Sequence, residues 1–506
     1  MKRFIRSHPL GFILLVAIAL RLPAVIFSKG YMASDDQFET VEIAHRWTYG
    51  QVFYDDGIRM WPQRPANEHA RFVLYNISLY SVMKLNEAVG INTLDGMMYS
   101  IRAIHAGISL LAVWAALQIV LLSTKSRRWA VFGGLAVAGY FLMPFLSVRN
   151  LIEMVGGNLW IVAVWLLYRY GDDRSDRSLI GAGVMTGLAW MIRFEIAFAA
   201  LAIPFILWRL HRSPRPALVY TAAVFAMLLL SGVADAIVVD GFAASTVSHI
   251  RQVLTEPPPY QTVWYFYIMV LLGAFIPPFS LLLFGLVGNR KFLREHALLW
   301  IPTLVFIVAH TLSISRQERY LIPILPILLV IFVLAIRYHQ QANGWLFRHR
   351  RMGIALLAGF LTINTVLLGA FTINYGHRGL VEPLVRMQNI EPFPAMVLVS
   401  PGRGRLMPFA YGGGIERLYR TEVVNWHDLD EFSRLPEAHD SSYFVVIHPH
   451  SDDEREQWLD SLKARLGSLT LVTHVGPSTI DAILHFLNPK HNRTHEAWVY
   501  RHEPQL

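Results

Sequence analysis

Eleven apolar runs fill the first three-quarters of the chain, at roughly 10–27, 102–123, 129–147, 154–169, 179–192, 196–209, 217–239, 262–287, 297–314, 319–336 and 352–373. A hydrocarbon core about 30 Å thick is crossed by ~20 apolar residues in a helix, and a lipid-exposed backbone must satisfy its own hydrogen bonds. The pattern therefore predicts a polytopic α-helical membrane protein with about 11 transmembrane helices. With 54% hydrophobic and 16% charged residues, an ordinary soluble or disordered chain of 506 residues is excluded. Two of the runs, 179–192 and 196–209, are short enough that a re-entrant pair is an alternative there. The stretch from Phe72 to Met83 is followed by Lys84, Asn86 and Glu87, and reads as a helix lying at the interface.

Charge supplies the orientation. The short segments 2–7, 124–128, 169–178, 209–216, 288–296 and 337–351 hold 19 Lys and Arg, whereas the opposite loops 147–153, 193–195, 240–261 and 315–319 hold five. The positive-inside rule then predicts a cytoplasmic N-terminus, residues 28–101 outside, and an extracytoplasmic C-terminal segment. The formal net charge of +9 is absorbed by this asymmetry, so no nucleic-acid partner is needed to explain it. The MKRFIR start and first apolar run lack a small-x-small cleavage site and read as an uncleaved anchor. The sequence has no cysteine, which removes disulfides, thiolate metal sites and thiol catalysis from consideration.

Beyond residue 374 the composition changes. Apolar stretches at 396–400, 443–448 and 469–475 read as strands, and 428–435 and 453–466 read as helices. This alternation predicts a soluble α/β domain over 375–506, after a membrane domain spanning 1–374 in which 28–101 forms the first outer loop. Gly412-Gly413-Gly414 fits no phosphate cradle in its spacing and reads as a turn.

Candidate chemistry lies in the outer loops. The stretch GYMASDDQFETVEIAHRWTYG gathers Asp35, Asp36, Glu39, Glu42 and His45, and offsets of +4, +7 and +10 from Asp35 put Glu39, Glu42 and His45 near one helical face. A solvated acidic helix capped by Asp35 presents the same residues. A carboxylate held at a membrane surface, however, can be desolvated into a general base for a hydroxyl. On the same side lie Arg149, Arg193, Arg316 and Arg319, arginine being suited to bidentate recognition of phosphate. Each of these is also what an interfacial anchor looks like. Arg21 sits inside the first span, where an arginine either faces the bundle interior or snorkels. Glu153 and Glu195 read as ion-pair neighbours of Arg149 and Arg193, and His310 reads as a buried histidine in the outer part of a span.

Two of these segments carry a resemblance. DDQFETVEIAHRWTYG resembles the P-D-E-x-x-Q-x-x-E-x-x-H pattern of the polyprenol-phosphate-dependent mannosyltransferases of GPI-anchor and N-glycan assembly, glycosyltransferase family 22. HTLSISRQERYLIPILP is similar to their H-S-x-x-x-H-K-E-x-R-F-x-x-P-x-x-P signature. Ser34, Asp36 and Glu39 stand where the family has Pro, Glu and Gln; Ser315 and Arg316 replace His and Lys; Gln317 takes the acidic position; Arg319 and His310 match.

The resemblance implies a GT-C fold and an inverting glycosyltransferase that moves a sugar, mannose in that family, from a polyprenyl-phosphate donor to a lipid-linked or envelope glycan acceptor. It makes Asp35 the base, with Asp36 beside it. Arg319 and then Arg316 would stabilise the departing phosphate, and Glu39, Glu42, His45, Arg149, Arg193 and His310 would line the substrates. No metal or other cofactor is expected, because guanidinium suffices for a monophosphate leaving group. Another GT-C branch, of the protein O-mannosyltransferase or lipid A aminoarabinose transferase type, fits the same features. A transporter or flippase would place its charges near mid-bilayer on broken helices, whereas here the acids cluster in loops.

Overall fold

The computed structural model describes residues 9–33, 36–49, 73–91, 93–238, 241–255, 262–313, 315–390, 395–400, 408, 411, 417–422, 430, 433–434, 442–449, 451–487 and 496–503. Asp35, Gly412–Gly414 and most of the helix expected at 428–435 lie outside these residues. The chain forms two compact units: Met1–Val25, Arg71–Tyr75 and Arg102–Ile373 make the first, and Ile26–Ala70, Asn76–Ile101 and Asn374–Leu506 the second. The described residues of 28–101, other than Val73–Tyr75, fall in the unit that holds the C-terminal stretch.

Helices in chain order are α1 (Pro9–Phe27), α2 (Glu42–Tyr49, entered through a π-helical turn Gln37–Val41), α3 (Val73–Ala88), α4 (Leu94–Thr124), α5 (Arg127–Gly139), α6 (Leu142–Ser147), α7 (Ile152–Asp173), α8 (Asp176–Ile192), α9 (Ile196–His211), α10 (Arg215–Val238), α11 (Ala244–Thr255), α12 (Phe266–Ala274), α13 (Phe279–Val287), α14 (Ala297–Leu312), α15 (Leu325–Gln341, preceded by a 3-10 turn Glu318–Ile324) and α16 (Arg350–Thr372), with further short helices at Arg290–Glu295 and Trp345–Arg348. Each of the eleven apolar runs coincides with a helix or a broken pair of helices. Among the described residues, five segments are long and apolar enough to cross a bilayer unaided: α1, Gly96–Thr124, α10, Glu318–Gln341 and α16. The pair α12 and α13, bent by 108°, makes a sixth crossing if taken as one span. At 16 residues each, α9 and α14 reach only about 24 Å. The re-entrant geometry considered at 179–209 thus has its clearest counterpart at 266–287.

Apolar character alone does not say which span is central. Leu325 to Ala335 of α15 are all buried, so this helix is the core of the bundle. On α16, Ile354, Leu357, Leu361 and Val366 are exposed, as a lipid-facing helix requires. The break between α5 and α6 is closed from that helix: Asn364 accepts from Phe141 N at 3.0 Å and donates to Gly139 O at 2.9 Å. In hydrocarbon those two backbone groups would otherwise go unmet. Arg21 faces the bundle interior and does not snorkel. Its Nε donates to Ser109 Oγ at 2.6 Å, Nη1 to the carbonyls of Ala17 and Ala138, and Nη2 to Ser147 Oγ.

The second unit contains a five-stranded sheet in the order β2-β1-β3-β5-β4, from β1 (Ala395–Ser400), β2 (Arg417–Glu422), β3 (Tyr443–Ile447), β4 (Leu469–Val475) and β5 (Ala497–His502). β1 is parallel to β2 and β3, and β5 is antiparallel to β3 and β4. Every residue of β3 is buried, as expected of a central strand covered on both faces. Helix α17 (Arg378–Ile390) packs on β4 and β5, helped by Arg386 Nη1 donating to Thr473 Oγ1 at 2.7 Å. Helix α18 (Asp452–Leu466) buries Trp458, Leu462 and Leu466, one every fourth residue, and is capped by Ser451 Oγ accepting from Glu454 N. A last helix, α19 (Thr479–Leu487), precedes β5.

In the same unit, residues 28–31 are clasped to 374–377. Ser28 Oγ donates to Asn374 O at 3.0 Å and Gly376 N to Lys29 O at 3.1 Å, and the Tyr31 and His377 rings meet at 4.5 Å. Gly30 has φ +78°, and a Cβ there would fall 1.9 Å from Gly376 O, so no other residue fits.

Candidate functional site

In the first unit, four charged side chains converge from three elements. Glu153, fully buried, is the second residue of α7; Arg193 and Glu195 form the tight turn between α8 and α9; Arg319 lies on the 3-10 turn before α15. Arg193 Nη1 is 3.4 Å and Arg319 Nη1 3.6 Å from the same oxygen, Glu153 Oε1. Arg193 Nε is 2.9 Å from Glu195 Oε2. At an effective dielectric of ~20, each contact of this length is worth about 5 kcal/mol of gross Coulomb attraction, before the desolvation it must offset. Both guanidiniums lie over one ring, Tyr320, at 4.9 and 5.6 Å from its centroid.

Two glycines let these elements meet. Gly156 and Gly157 follow Glu153 by three and four residues, on the same helical face. A Cβ at 157 would stand 2.7 Å from Pro323 Cα and O; one at 156 would stand 3.1 Å from Arg193 Cβ. The bare backbone of α7 is thus what admits both the Arg193 turn and the Arg319 segment.

The protonation states follow from this surrounding. Burial pushes Glu195 up, but Arg193, with His249 and His310, outweighs it and holds the carboxyl below its usual range. Burial pushes Arg193 down, but Glu195 and Glu153 outweigh it and raise its affinity for the proton. Both groups are ionised at neutral pH. His249 enters through its ring, stacked on Phe194 at 4.8 Å.

The other candidate residues take varied places. Arg319 Nε donates to Gln317 Oε1 at 2.7 Å. Arg316 spends Nε, Nη1 and Nη2 on the carbonyls of Thr311 and Thr262, fixing its loop. Arg149 is buried, stacked on Phe145 with Nη1 donating to Phe145 O at 2.8 Å. Glu153, four residues later, turns to Arg193 and Arg319 where the sequence suggests Arg149. His310 Nδ1 donates to Phe306 O at 2.9 Å, which fixes the tautomer and makes Nε2 the acceptor of the neutral ring. Next to Arg149, Asn150 Oδ1 accepts from Tyr75 OH at 2.6 Å, and that hydroxyl lies 2.6 Å from His105 Nε2.

The acidic loop lies in the second unit. Asp36 is buried at the head of the π-helical turn, and its carbonyl accepts from Thr40 Oγ1. Glu42 Oε1 accepts from Gln37 Nε2 at 3.1 Å, and Glu39 O from Asn76 Nδ2 at 3.2 Å. The wide turn interrupts the 3.6-residue period that aligned Glu39, Glu42 and His45. His45 is buried, and burial lowers its pKa to about 4. Tyr31 is pushed well above its usual range by burial, reinforced by Glu42 and Tyr411. Among the described residues, no group of three His, Asp or Glu side chains is placed to hold a metal ion.

Sequence reasoning named Arg193 and Arg319 but read Glu153 only as an ion-pair neighbour. The adjacent Gly156-Gly157, an unusual pair near the head of an apolar helix, was the available signal. Tyr320 and His249 left none.

Residues 90–234 match the profile of the dolichyl-phosphate-mannose-protein mannosyltransferase family, PMT_2. This segment lies between the two motif-bearing loops. No curated protein sequence matches the chain. Among solved structures, ArnT from Cupriavidus metallidurans bound to undecaprenyl phosphate is similar at TM-score 0.59 and 14% identity, over 98% of this chain and 99% of that one. ArnT in the apo state is similar at TM-score 0.59 and 13% identity, over 99% and 100%. The likeness carries the GT-C fold and leaves the narrower family 22 a reading of motifs. The chain is an integral membrane protein with the GT-C fold seen in ArnT.

Proposed function

We propose that the protein is an inverting glycosyltransferase that transfers a sugar from a polyprenyl-phosphate donor to a lipid-linked or envelope glycan. The observation that carries this reading is the buried pairing of Arg193 and Arg319 on Glu153, two guanidiniums preorganised beside one ring in a fold whose relative ArnT binds undecaprenyl phosphate. Arg319 stabilises the charge that grows on the departing phosphate. Arg193 is the second cation, a role the sequence suggested for Arg316, whose three guanidinium nitrogens already donate to backbone carbonyls. Fixed donors of this kind supply several kcal/mol of transition-state stabilisation. Asp35 takes the proton of the acceptor hydroxyl as that oxygen attacks the anomeric carbon, the C–O bond to phosphate breaks, and configuration inverts. Asp36, Glu39, Glu42 and His45 shape the loop that presents it. The positive-inside asymmetry favours the extracytoplasmic face of the membrane for this chemistry, the inner membrane in a bacterium.

Mannose is the sugar that the 90–234 match favours. The end-to-end likeness to ArnT favours a second reading, an amino-sugar transferase of the lipid A aminoarabinose type. Donor competition between polyprenyl-phosphate mannose and polyprenyl-phosphate aminoarabinose separates the two. The test of the chemistry is Asp35→Asn in purified protein with polyprenyl-phosphate sugar. Turnover falls at least ~100-fold with polyprenyl-phosphate binding retained if Asp35 is the base; wild-type turnover rejects it.

A further inference from the structure

We infer that α19 is an interfacial helix, which seats Ile483 and Phe486 in the headgroup layer of the same bilayer that the spans cross. The inference stands apart from the proposed activity and needs only the membrane-spanning reading. α19 opens with a reciprocal cap: Asp481 N donates to Ser478 Oγ at 3.1 Å, and Ser478 N to Asp481 Oδ2 at 3.3 Å. Two large apolar side chains on it lie open. Phe486 is 85% exposed and Ile483 51%, an i, i+3 pair on one face of an extramembranous helix. Exposed large apolar side chains so grouped signal a contact.

The chain itself says what covers them. Ser478, the cap of α19, touches Asn374 through Oγ and Oδ1 at 3.5 Å, and Asn374 O accepts from Ser28 Oγ at 3.0 Å. Ser28 follows the last residue of α1, Phe27, and Asn374 follows α16 by two residues. The helix therefore starts at the level where two spans leave the hydrocarbon. Nine residues extend about 13 Å, so with its axis along the membrane plane the helix keeps Phe486 in the headgroup layer. An amphipathic helix held at this level buries its apolar side chains among headgroups and the first acyl carbons.

The absence of cysteine makes the test clean. Full-length protein carrying Phe486→Cys, and separately Ile483→Cys or Glu456→Cys, is spin-labelled and reconstituted in phosphatidylcholine–phosphatidylglycerol liposomes. Collision rates with oxygen and with a water-soluble nickel chelate are then measured. Glu456, 71% exposed on α18, reports the aqueous phase. The oxygen-to-nickel ratio at 486 and 483 should exceed that at 456 several-fold. Equal ratios at all three positions place the helix in water and overturn the inference. Exclusion of both reagents at 486, in liposomes and in detergent alike, means a protein surface covers it, and overturns it too. Unfolding temperatures of the labelled proteins show that the two positions report on native chain.

Discussion

A methyl group at position 157 would sit 2.7 Å from the Cα and the carbonyl oxygen of Pro323, atoms that cannot swing aside as a side-chain tip can. Restoring an ordinary contact near ~3.5 Å requires the Glu318–Ile324 turn to retreat by roughly 0.8 Å. If Arg319 moves with its turn, the 3.6 Å separation from Glu153 grows to about 4.4 Å. At an effective dielectric of ~20 the attraction falls from about 4.6 to about 3.8 kcal/mol. That loss corresponds to roughly fourfold in any equilibrium that depends on how the guanidinium is held. Overpacking adds about 1–3 kcal/mol of strain, against which the better helix propensity of alanine returns only ~1 kcal/mol. Gly157→Ala should thus lower the unfolding temperature and weaken polyprenyl-phosphate binding several-fold. Gly171→Ala, the same change on the same helix with nothing within 4 Å of the new methyl, should leave binding unchanged and stability equal or higher. Thermal unfolding in detergent and a direct lipid-binding titration, run on both variants, decide the matter. Indistinguishable variants would refute the claim that close backbone approach sets the arginine geometry.

The other predictions concern charge. Glu153→Gln removes the carboxylate that two guanidiniums share, and breaking a buried pair costs about 3–5 kcal/mol. Calorimetry should show a large loss of stability, partly restored in Glu153→Asp, and an unchanged transition would remove Glu153 from its place between the arginines. His45 is held neutral by burial, its pKa lowered to about 4 against 6.5 unfolded. Its contribution, about 3 kcal/mol, is therefore complete above pH 6.5 and is lost as pH falls toward 4. His45→Gln should flatten that part of the stability profile, and a profile of unaltered slope would count against a buried neutral ring.

Much of the architecture was legible because membrane insertion writes itself in composition. Runs of apolar residues became helices, and the changed composition after residue 374 announced strands at 396, 443 and 469. Two strands escaped. Arg417–Glu422 is mostly polar, because β2 lies at the edge of the sheet, and Ala497–His502 alternates too weakly to stand out. Helix centrality was not legible at all. Leu329 and Leu357 are alike in sequence, yet one faces protein and the other lipid, since both environments are apolar. At the site, arginines at span ends could be picked out by type, but not which acid they would share. Glu153 lies four residues from Arg149 and binds instead to residues 40 and 166 positions away, a choice made by helix packing against Gly156 and Gly157. The π-helical turn at Gln37–Val41 shows the same limit locally: helical offsets presume a uniform helix.

Asn364 ties the ends of α5 and α6 together from more than 220 residues further along the chain. During synthesis, Gly139 and Phe141 leave the ribosome long before their amide partner exists. Until then, those two peptide groups must be hydrated or held by the insertion machinery, because lipid offers them nothing. The early spans consequently cannot settle into their final arrangement as they emerge. The last span acts as a latch, and its arrival, rather than the emergence of each helix in turn, sets when the bundle closes.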